Sequence, residues 1–355
     1  MANSQHTPKD IFNALTKARG ITELTATTMA DYFLIVDTVT SIWREKIDKR
    51  QLHDDSHDNR PPLFPGELAP WFRGVSDDSR DLEPSLARFA KDAFKDPRFL
   101  ELLRKQEQNS KHSNKYNIED IEEYLLQRFK TFGSPLIGDK LPESKISWLF
   151  ILRHHSAPSR LLDWSKGSLV ALHFAISKHF CSQLKDNQDP SCPWAAVWML
   201  EPRRLVEMST KNRRIPGATN PNDEERIEKY IDPKKSDSSI KYPLPVIPNL
   251  ISPRIRSHIG RFTLHSNEHL EKKHGGLQEF AEDSAKQDEI SYLVKIRIDL
   301  NNIRLLGESL RTTGIADNNF SQDLDGLTEE LRNRILLGHR MATDTRWFGP
   351  SENHT

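Results

Sequence analysis

Apolar residues recur at Met29, Phe33, Val36, Val39 and Trp43, and this three-to-four spacing predicts an amphipathic helix over Thr27–Lys49. Thr27 or Thr28 supplies a capping hydroxyl. Trp71–Val75 reads as a short strand, followed by an acidic turn and a helix opened by Pro84 and Ser85. Further helices are predicted near Arg98–Gln108, over Ile118–Phe132 and over Ser144–Arg153. Ile118, Ile121, Leu125 and Phe129 share one face of the second, and the third ends at the His154–Pro158 break. The run SLVALHFAISKHF, Ser168–Phe180, predicts a buried helix capped by Ser165 or Ser168. AAVWML, Ala195–Leu200, predicts a central strand, and YLVKIRI, Tyr292–Ile298, an alternating one.

Between them the pattern is weaker. Arg203–Lys235 mixes charges around a short helix near Glu224–Tyr230. Four prolines within Tyr242–Pro253 exclude a central strand there. Arg254–His265 alternates well enough for a strand bent at Gly260, and Asn301–Thr313 and Leu324–Leu337 read as closing helices. Met1–Arg19 is polar and reads as frayed, His53–Pro65 has loop composition, and 341–355 reads as loose. No internal repeat is visible. Strands and helices mix without a regular beat, so the expected class is α+β, small mixed sheets surrounded by helices.

Composition adds limits. The 51 basic and 51 acidic side chains cancel, which leaves no chain-wide excess of cations for nucleic-acid phosphates. A local basic groove stays open as a reading. Cys181 and Cys192 are the two cysteines, too few for a disulfide framework and not spaced Cys-x-x-Cys, so they read as free thiols. The opening MANSQHTPKD lacks the basic and apolar stretches of a secretion signal. No segment approaches the roughly 18 apolar residues of a membrane span. The expectation is a soluble, cytoplasmic protein without a membrane partner.

Three clusters carry chemistry-bearing side chains. In Trp71-Phe72-Arg73-Gly74 an arginine on a strand offers a fixed guanidinium, whose fork suits phosphate or carboxylate, with room for a ligand beside Gly74. The alternative is an arginine tied to a core carboxylate such as Asp163. In Arg153 to Ser165, two histidines, two arginines, an aspartate, an indole and several hydroxyls sit on a loop leading into the buried helix. There Arg160 with the helix N-terminus makes an anion site, Trp164 stacks on a planar ring, and Asp163 binds a ribose hydroxyl or orients an arginine. Plain core packing for Trp164 and helix capping for Asp163 compete with these roles. In Pro253 to Thr263, alternation places Arg254, Arg256, His258 and Gly260 on one strand face, a cleft wall or a solvated edge. His53 to Asp58 has metal-ligand residue types but no scaffold, and His173 and His179 are six apart, so no metal is expected. The Walker phosphate loop, the Gly-x-Ser-x-Gly elbow and His-Glu-x-x-His are all missing.

In this order the clusters resemble the FRG domain family, whose aromatic-Arg-Gly motif is matched by Phe72-Arg73-Gly74. Its central signature is similar to His154 through Ser165 and to Ala171-Leu172-His173-Phe174-Ala175. Arg254-Ile255 with Gly260–Thr263, and Leu310–Ile315 with Asp323–Gly326, follow its later elements. Arg153, Ser156, Ser159 and His258 depart from it, standing where the family usually has Gln, Gly, Thr and Gln. The resemblance spans about residues 28–340. It implies a polar tail over 1–26, the domain over 27–340 (signature core about 65–185, later strand element 254–298) and a loose tail over 341–355. It also implies a bacterial or phage setting.

A further resemblance is to ADP-ribosyltransferases of the arginine-serine-glutamate type. It implies Arg73 on the phosphates of NAD as substrate, Ser165 on the nicotinamide ribose, Trp164 stacked on nicotinamide, and His258 where the glutamate would stand. Three readings follow. One is a nucleotide-handling transferase or glycohydrolase acting through Arg73, His155, Asp163, Ser165 and His258, with Gly74, Arg160, Trp164, Arg256 and Gly260 in contact with ligand. The second is a non-catalytic module for a phosphate-bearing small molecule or nucleic acid in phage-related conflict. The third is a structural protein whose signature is a buried polar network.

Overall fold

The computed structural model describes residues 6–54, 69–106, 117–137, 141–182, 194–218, 220–232, 240–248 and 260–315. The described helices are α1 (Pro8–Lys17), α2 (Met29–Asp54), α3 (Ser85–Ala93), α4 (Pro97–Gln106), α5 (Ile118–Ile137), α6 (Lys145–His154), α7 (Ser168–Ser182), α8 (Pro202–Thr210), α9 (Glu224–Ile231), α10 (Asn267–Leu270), α11 (Leu277–Asp288) and α12 (Ile303–Thr312). The strands are β1 (Thr22–Ala26), β2 (Trp71–Val75), β3 (Leu161–Ser165), β4 (Trp194–Leu200), β5 (Leu244–Val246), β6 (Gly260–Leu264) and β7 (Leu293–Asp299). All seven join one sheet in the order β1-β7-β4-β2-β3-β6-β5, with β1 parallel to β7 and every other pair antiparallel. The class is α+β, as the mixed pattern predicts.

The strand order follows from burial. β4 is sealed on both faces from Ala195 to Leu200, which is why its sequence is a continuous apolar run. β5, the proline-bearing strand, takes an edge. One core packs α2, α7, α11 and α12 against β1, β7, β4 and β2. A second packs α5, α6 and α9 against β5, β6 and Leu161 of β3. β3 contributes to both, Leu162 and Trp164 to the first core and Leu161 to the second.

Several expectations are corrected. Residues 1–26 are not a polar tail throughout: α1 and β1 lie inside them. Thr7 and Asp10 cap α1 reciprocally, and Ile11 and Leu15 are fully buried. The segment expected to be a loop before the buried helix contains β3, paired with β6 over five positions. Of Arg254–His265 only residues 260–265 are described; Arg254, Arg256 and His258, like Leu324–Leu337, Asp323–Gly326 and 341–355, lie outside the described residues. Thr28 caps α2, accepting from the Asp31 amide at 3.1 Å. No described helix is long and apolar enough to cross a membrane.

Candidate functional site

β2 pairs with β4 over five residues, from Trp71–Leu200 to Val75–Ala196, but with β3 at a single position, Phe72–Ser165. Beyond that pair the two strands part. Arg73 fills the gap: its Nη1 donates to the Asp163 carbonyl at 2.7 Å and to Asp163 Oδ2 at 2.7 Å. A side chain thus satisfies a strand carbonyl that the neighbouring backbone leaves open. Arg153, at the end of α6, donates from Nε to Asp163 Oδ1 at 2.8 Å, makes a second bond to it through Nη2, and reaches Ser85 Oγ at 3.2 Å. Burial alone would push the Asp163 carboxyl up, but the guanidinium groups of Arg73 and Arg153 outweigh it and hold the carboxyl far below the usual range. Asp163 is a fixed anion that orients two arginines.

A cleft of about 580 Å³ opens at this split. β2, β3 and β6 line it with Arg73, Asp163, Ser165 and Gly260; the segment after β2 and α3 contribute Arg80, Asp81, Glu83 and Arg88; α7 contributes Phe174 and Lys178. The segment after β2 is tied down on three sides. His179 Nε2 donates to the Ser76 carbonyl at 2.6 Å, Arg297 Nε donates to Asp78 at 2.7 Å, and the Leu82 amide donates to His274 Nδ1 at 3.0 Å. Arg73, Arg80, Arg88, Arg153 and Lys178 face only Asp81, Glu83 and Asp163, so the lining is basic in a chain of zero net charge. Glu83 is further engaged by Lys91 at 2.5 Å and Arg80 by Asp77 at 3.5 Å. Arg88 and Lys178 have no carboxylate within ion-pair distance among the described residues. Burial and the neighbouring charge of Arg73 lower the Arg88 guanidinium, the response of a cation set among cations.

The sequence-derived site residues divide. Arg73, Gly74, Asp163, Trp164, Ser165 and Gly260 line the cleft. The space beside Gly74 is not room for a ligand: an added Cβ would fall 1.9 Å from the Ala171 carbonyl and 2.7 Å from the Ala175 nitrogen, so glycine is there for the close approach of α7. Trp164 is buried, with Nε1 donating to Thr263 Oγ1 at 3.1 Å, and has no face open for a planar ring. Ser165 accepts from the Gly167 amide at 3.0 Å, and the Gly260 carbonyl accepts from Arg261 at 2.9 Å.

His155 is exposed outside the lining, its ring beside Phe129; His154 is the histidine that lines the cleft. Arg160 is no anion site at all, being sealed against Glu122 in the second core. Arg88, Phe174 and Lys178 were missed, although Phe174 and Lys178 stand one helical turn apart, which puts them on one face. Among the described residues no cluster of His, Cys, Asp or Glu has the arrangement of a metal site.

Ser156 also lines the cleft and sits at φ 61°. It follows the end of α6, where Ala157 N bonds to Leu152 O at 3.0 Å and Ser156 N to Arg153 O at 3.1 Å, a left-handed cap that favours glycine. Ser156→Gly is therefore expected to stabilise the fold by about 0.5–1 kcal/mol, the left-handed strain relieved less the chain entropy of glycine. A urea midpoint that stays level or falls would show that the serine side chain holds the turn.

The molecule is thus an α+β protein with a basic cleft where two neighbouring strands of its sheet part. Residues 69–183, from the approach to β2 through α7, match the family model of the FRG domain. The matched stretch contains most of the cleft lining but not β6. No curated protein matches the chain, and no solved structure does.

Proposed function

We propose that the cleft binds a phosphate-bearing nucleotide, with NAD as substrate. What supports this is Arg73: it stands in the β2–β3 split with Nη1 spent on Asp163, leaving Nε and Nη2 as donors toward a basic hollow. Guanidinium donors in a partly enclosed cleft hold phosphate oxygens in two-point contact. In this reading Arg73 and Arg88 take the phosphates, Ser165 lies beside the ribose, and Asp163 positions Arg73. Cleavage would break the ribose–nicotinamide bond, with water or an acceptor nucleophile adding at the ribose carbon and losing a proton, and nicotinamide leaving.

A second reading, ligand binding without chemistry, is favoured by Asp163 itself. A carboxylate held far below its usual range by two arginines takes no part in proton transfer near neutral pH.

The test is calorimetry with NAD and ADP-ribose, together with chromatography for released nicotinamide. Binding that falls at least tenfold in Arg88→Gln, with nicotinamide released by the wild type, is the expected result. Binding without release leaves the non-catalytic reading, and no binding at millimolar ligand overturns both. A steep fall of affinity with salt, accompanied by tighter binding of an oligonucleotide, would instead assign the cleft to nucleic acid.

A further inference from the structure

Two of the three ties on the segment after β2 are histidines, and they answer a proton in opposite ways. His179 is the donor in its bond to the Ser76 carbonyl, so a second proton on its ring leaves that bond in place. His274 is the acceptor in its bond: the Leu82 amide donates to Nδ1 at 3.0 Å, and a proton on Nδ1 would set two donors against each other. With Nδ1 held as acceptor, the neutral ring carries its proton on Nε2, which stands 3.4 Å from Asp81 Oδ1. His274 is buried, and its ring lies on Trp198 of β4, the register partner of Arg73, at 5.3 Å between centroids. The backbone is bent to put it there. His274 sits at φ 50°, followed by Gly275 at 60° and Gly276 at 85°, three left-handed residues in a row. A Cβ on Gly275 would fall 3.2 Å from the Leu82 carbonyl and 2.7 Å from His265 Nδ1, so this turn is pressed onto the held segment. A histidine kept where glycine is favoured is over-determined by its surroundings, and such strain gathers at switch regions.

We infer that His274 is a proton-operated latch on the cleft wall: while neutral it holds Leu82, and with it Arg80, Asp81 and Glu83, in place, and on taking a second proton it lets that stretch go. Burial of the ring opposes the second proton most strongly. Of the charged groups that face it, Asp81 on the held segment and Glu23 on β1 favour the proton, while Lys273 on its own turn and Lys295 on β7 oppose it. The charges stand two against two, so burial decides, and the ring is held below the ordinary histidine range. The wall therefore stays latched at neutral pH and loosens on acidification. Release is confined to one stretch. The bonds of Ser76 to His179 and of Asp78 to Arg297 keep the start of the segment, and the Leu86 amide, donating to the Ser159 carbonyl at 3.1 Å, keeps the start of α3. Between them lie Arg80, Asp81 and Glu83, which line the cleft. The device does not depend on which ligand the cleft takes.

Hydrogen exchange of the full chain at pH 7, 6 and 5, read as the protection factor of the Leu82 amide, tests the latch. In the wild type this protection should fall about tenfold or more between pH 7 and 5, since the released ring takes its proton at about 6.5 and the latched ring does not. In His274→Asn, Oδ1 takes the place of Nδ1 as acceptor, asparagine tolerates the left-handed position, and nothing titrates there. Leu82 protection in that variant should stay within about twofold over the same range. The Val197 amide, in a strand paired on both sides, reports opening of the whole fold in both proteins and keeps the global loss apart from the local one. A second measurement needs no variant: the nitrogen shifts of the wild-type His274 ring at pH 7 should be those of the Nε2–H tautomer. A level Leu82 profile in the wild type, an equal fall in both proteins, or an Nδ1–H tautomer at pH 7 overturns the latch.

Discussion

Arg160→Met is expected to cost the fold about 3–5 kcal/mol, because it strands a buried carboxylate. The Arg160 and Glu122 side chains are 1% and 2% exposed. Arg160 Nε donates to both Glu122 oxygens at 2.7 and 2.9 Å, and Nη2 to Oε2 at 2.6 Å. The remaining donors reach the Tyr230 carbonyl at 2.8 Å, the His265 carbonyl at 3.4 Å and Asn267 Oδ1 at 3.1 Å. One guanidinium therefore joins α5, the end of α9 and the chain leaving β6, next to β3 where Leu161 begins. Removing it leaves Glu122 charged without a partner and two backbone carbonyls without a donor. Arg160→Met combined with Glu122→Leu should recover most of the loss, since a dry apolar pair of similar volume replaces the ion pair at little net cost. Denaturant midpoints of the single and double variants make the measurement. A single variant within about 1 kcal/mol of wild type would mean that Arg160 is not locked in the core and would return it to the list of ligand contacts.

The same residue marks where reading the sequence succeeds and where it stops. In the Arg-Leu-Leu-Asp-Trp string, the dense polar equipment does need partners, as its composition suggests. But the partners differ by strand face and by reach: Asp163 turns into the cleft, Arg160 into the second core, and Trp164 onto Thr263. No local pattern separates a ligand-facing arginine from one whose carboxylate lies 38 positions earlier on another helix. β3 escaped notice because its inward face carries Asp163 and Ser165, polar at positions where an alternating strand would be apolar. α1 and β1 escaped for a related reason. Their few apolar residues, Ile11, Leu15 and Leu24, signify little alone, and they are buried only by elements as distant as β7. Strong local signals, the runs that became α7, β4 and β7, were legible at once because burial on both faces or strict alternation leaves a period in the sequence itself. The pairing of Arg73 with Asp163, raised as an alternative to ligand binding, is present.

Lowering the pH from 7 to 5 should remove about 4 kcal/mol of stability, through two histidines that are buried in their neutral form. His265 is fully buried: Nδ1 donates to the Gly275 carbonyl at 2.8 Å, and Nε2 lies 2.9 Å from Thr263 Oγ1. Because the Gly275 carbonyl can only accept, Nδ1 carries the proton of the neutral ring and Nε2 accepts from Thr263 Oγ1, so a second ring proton would break this bond. Burial first, then the neighbouring His269, depresses His265 to about 3. Burial takes His269, whose Nδ1 accepts from the Ser266 amide at 3.2 Å, down to about 4.

Below the ordinary histidine value of about 6.5 the unfolded chain binds these two protons and the folded chain does not. Stability therefore falls with pH from there until the folded values are reached, by roughly 1.4 kcal/mol per unit for each ring. His274, lowered chiefly by burial, adds in the same direction. Asp163 acts elsewhere on the scale: its depressed carboxyl gives stability that is lost only below the ordinary aspartate range, so it does not contribute between pH 7 and 5. Urea midpoints at pH 7, 6 and 5 should fall progressively, and His269→Gln, whose amide oxygen can still accept from Ser266, should flatten the dependence by about half. A midpoint unchanged between pH 7 and 5 would mean that both rings take up protons in the fold as readily as in the unfolded chain, with His265 Nε2 then donating to Thr263 Oγ1.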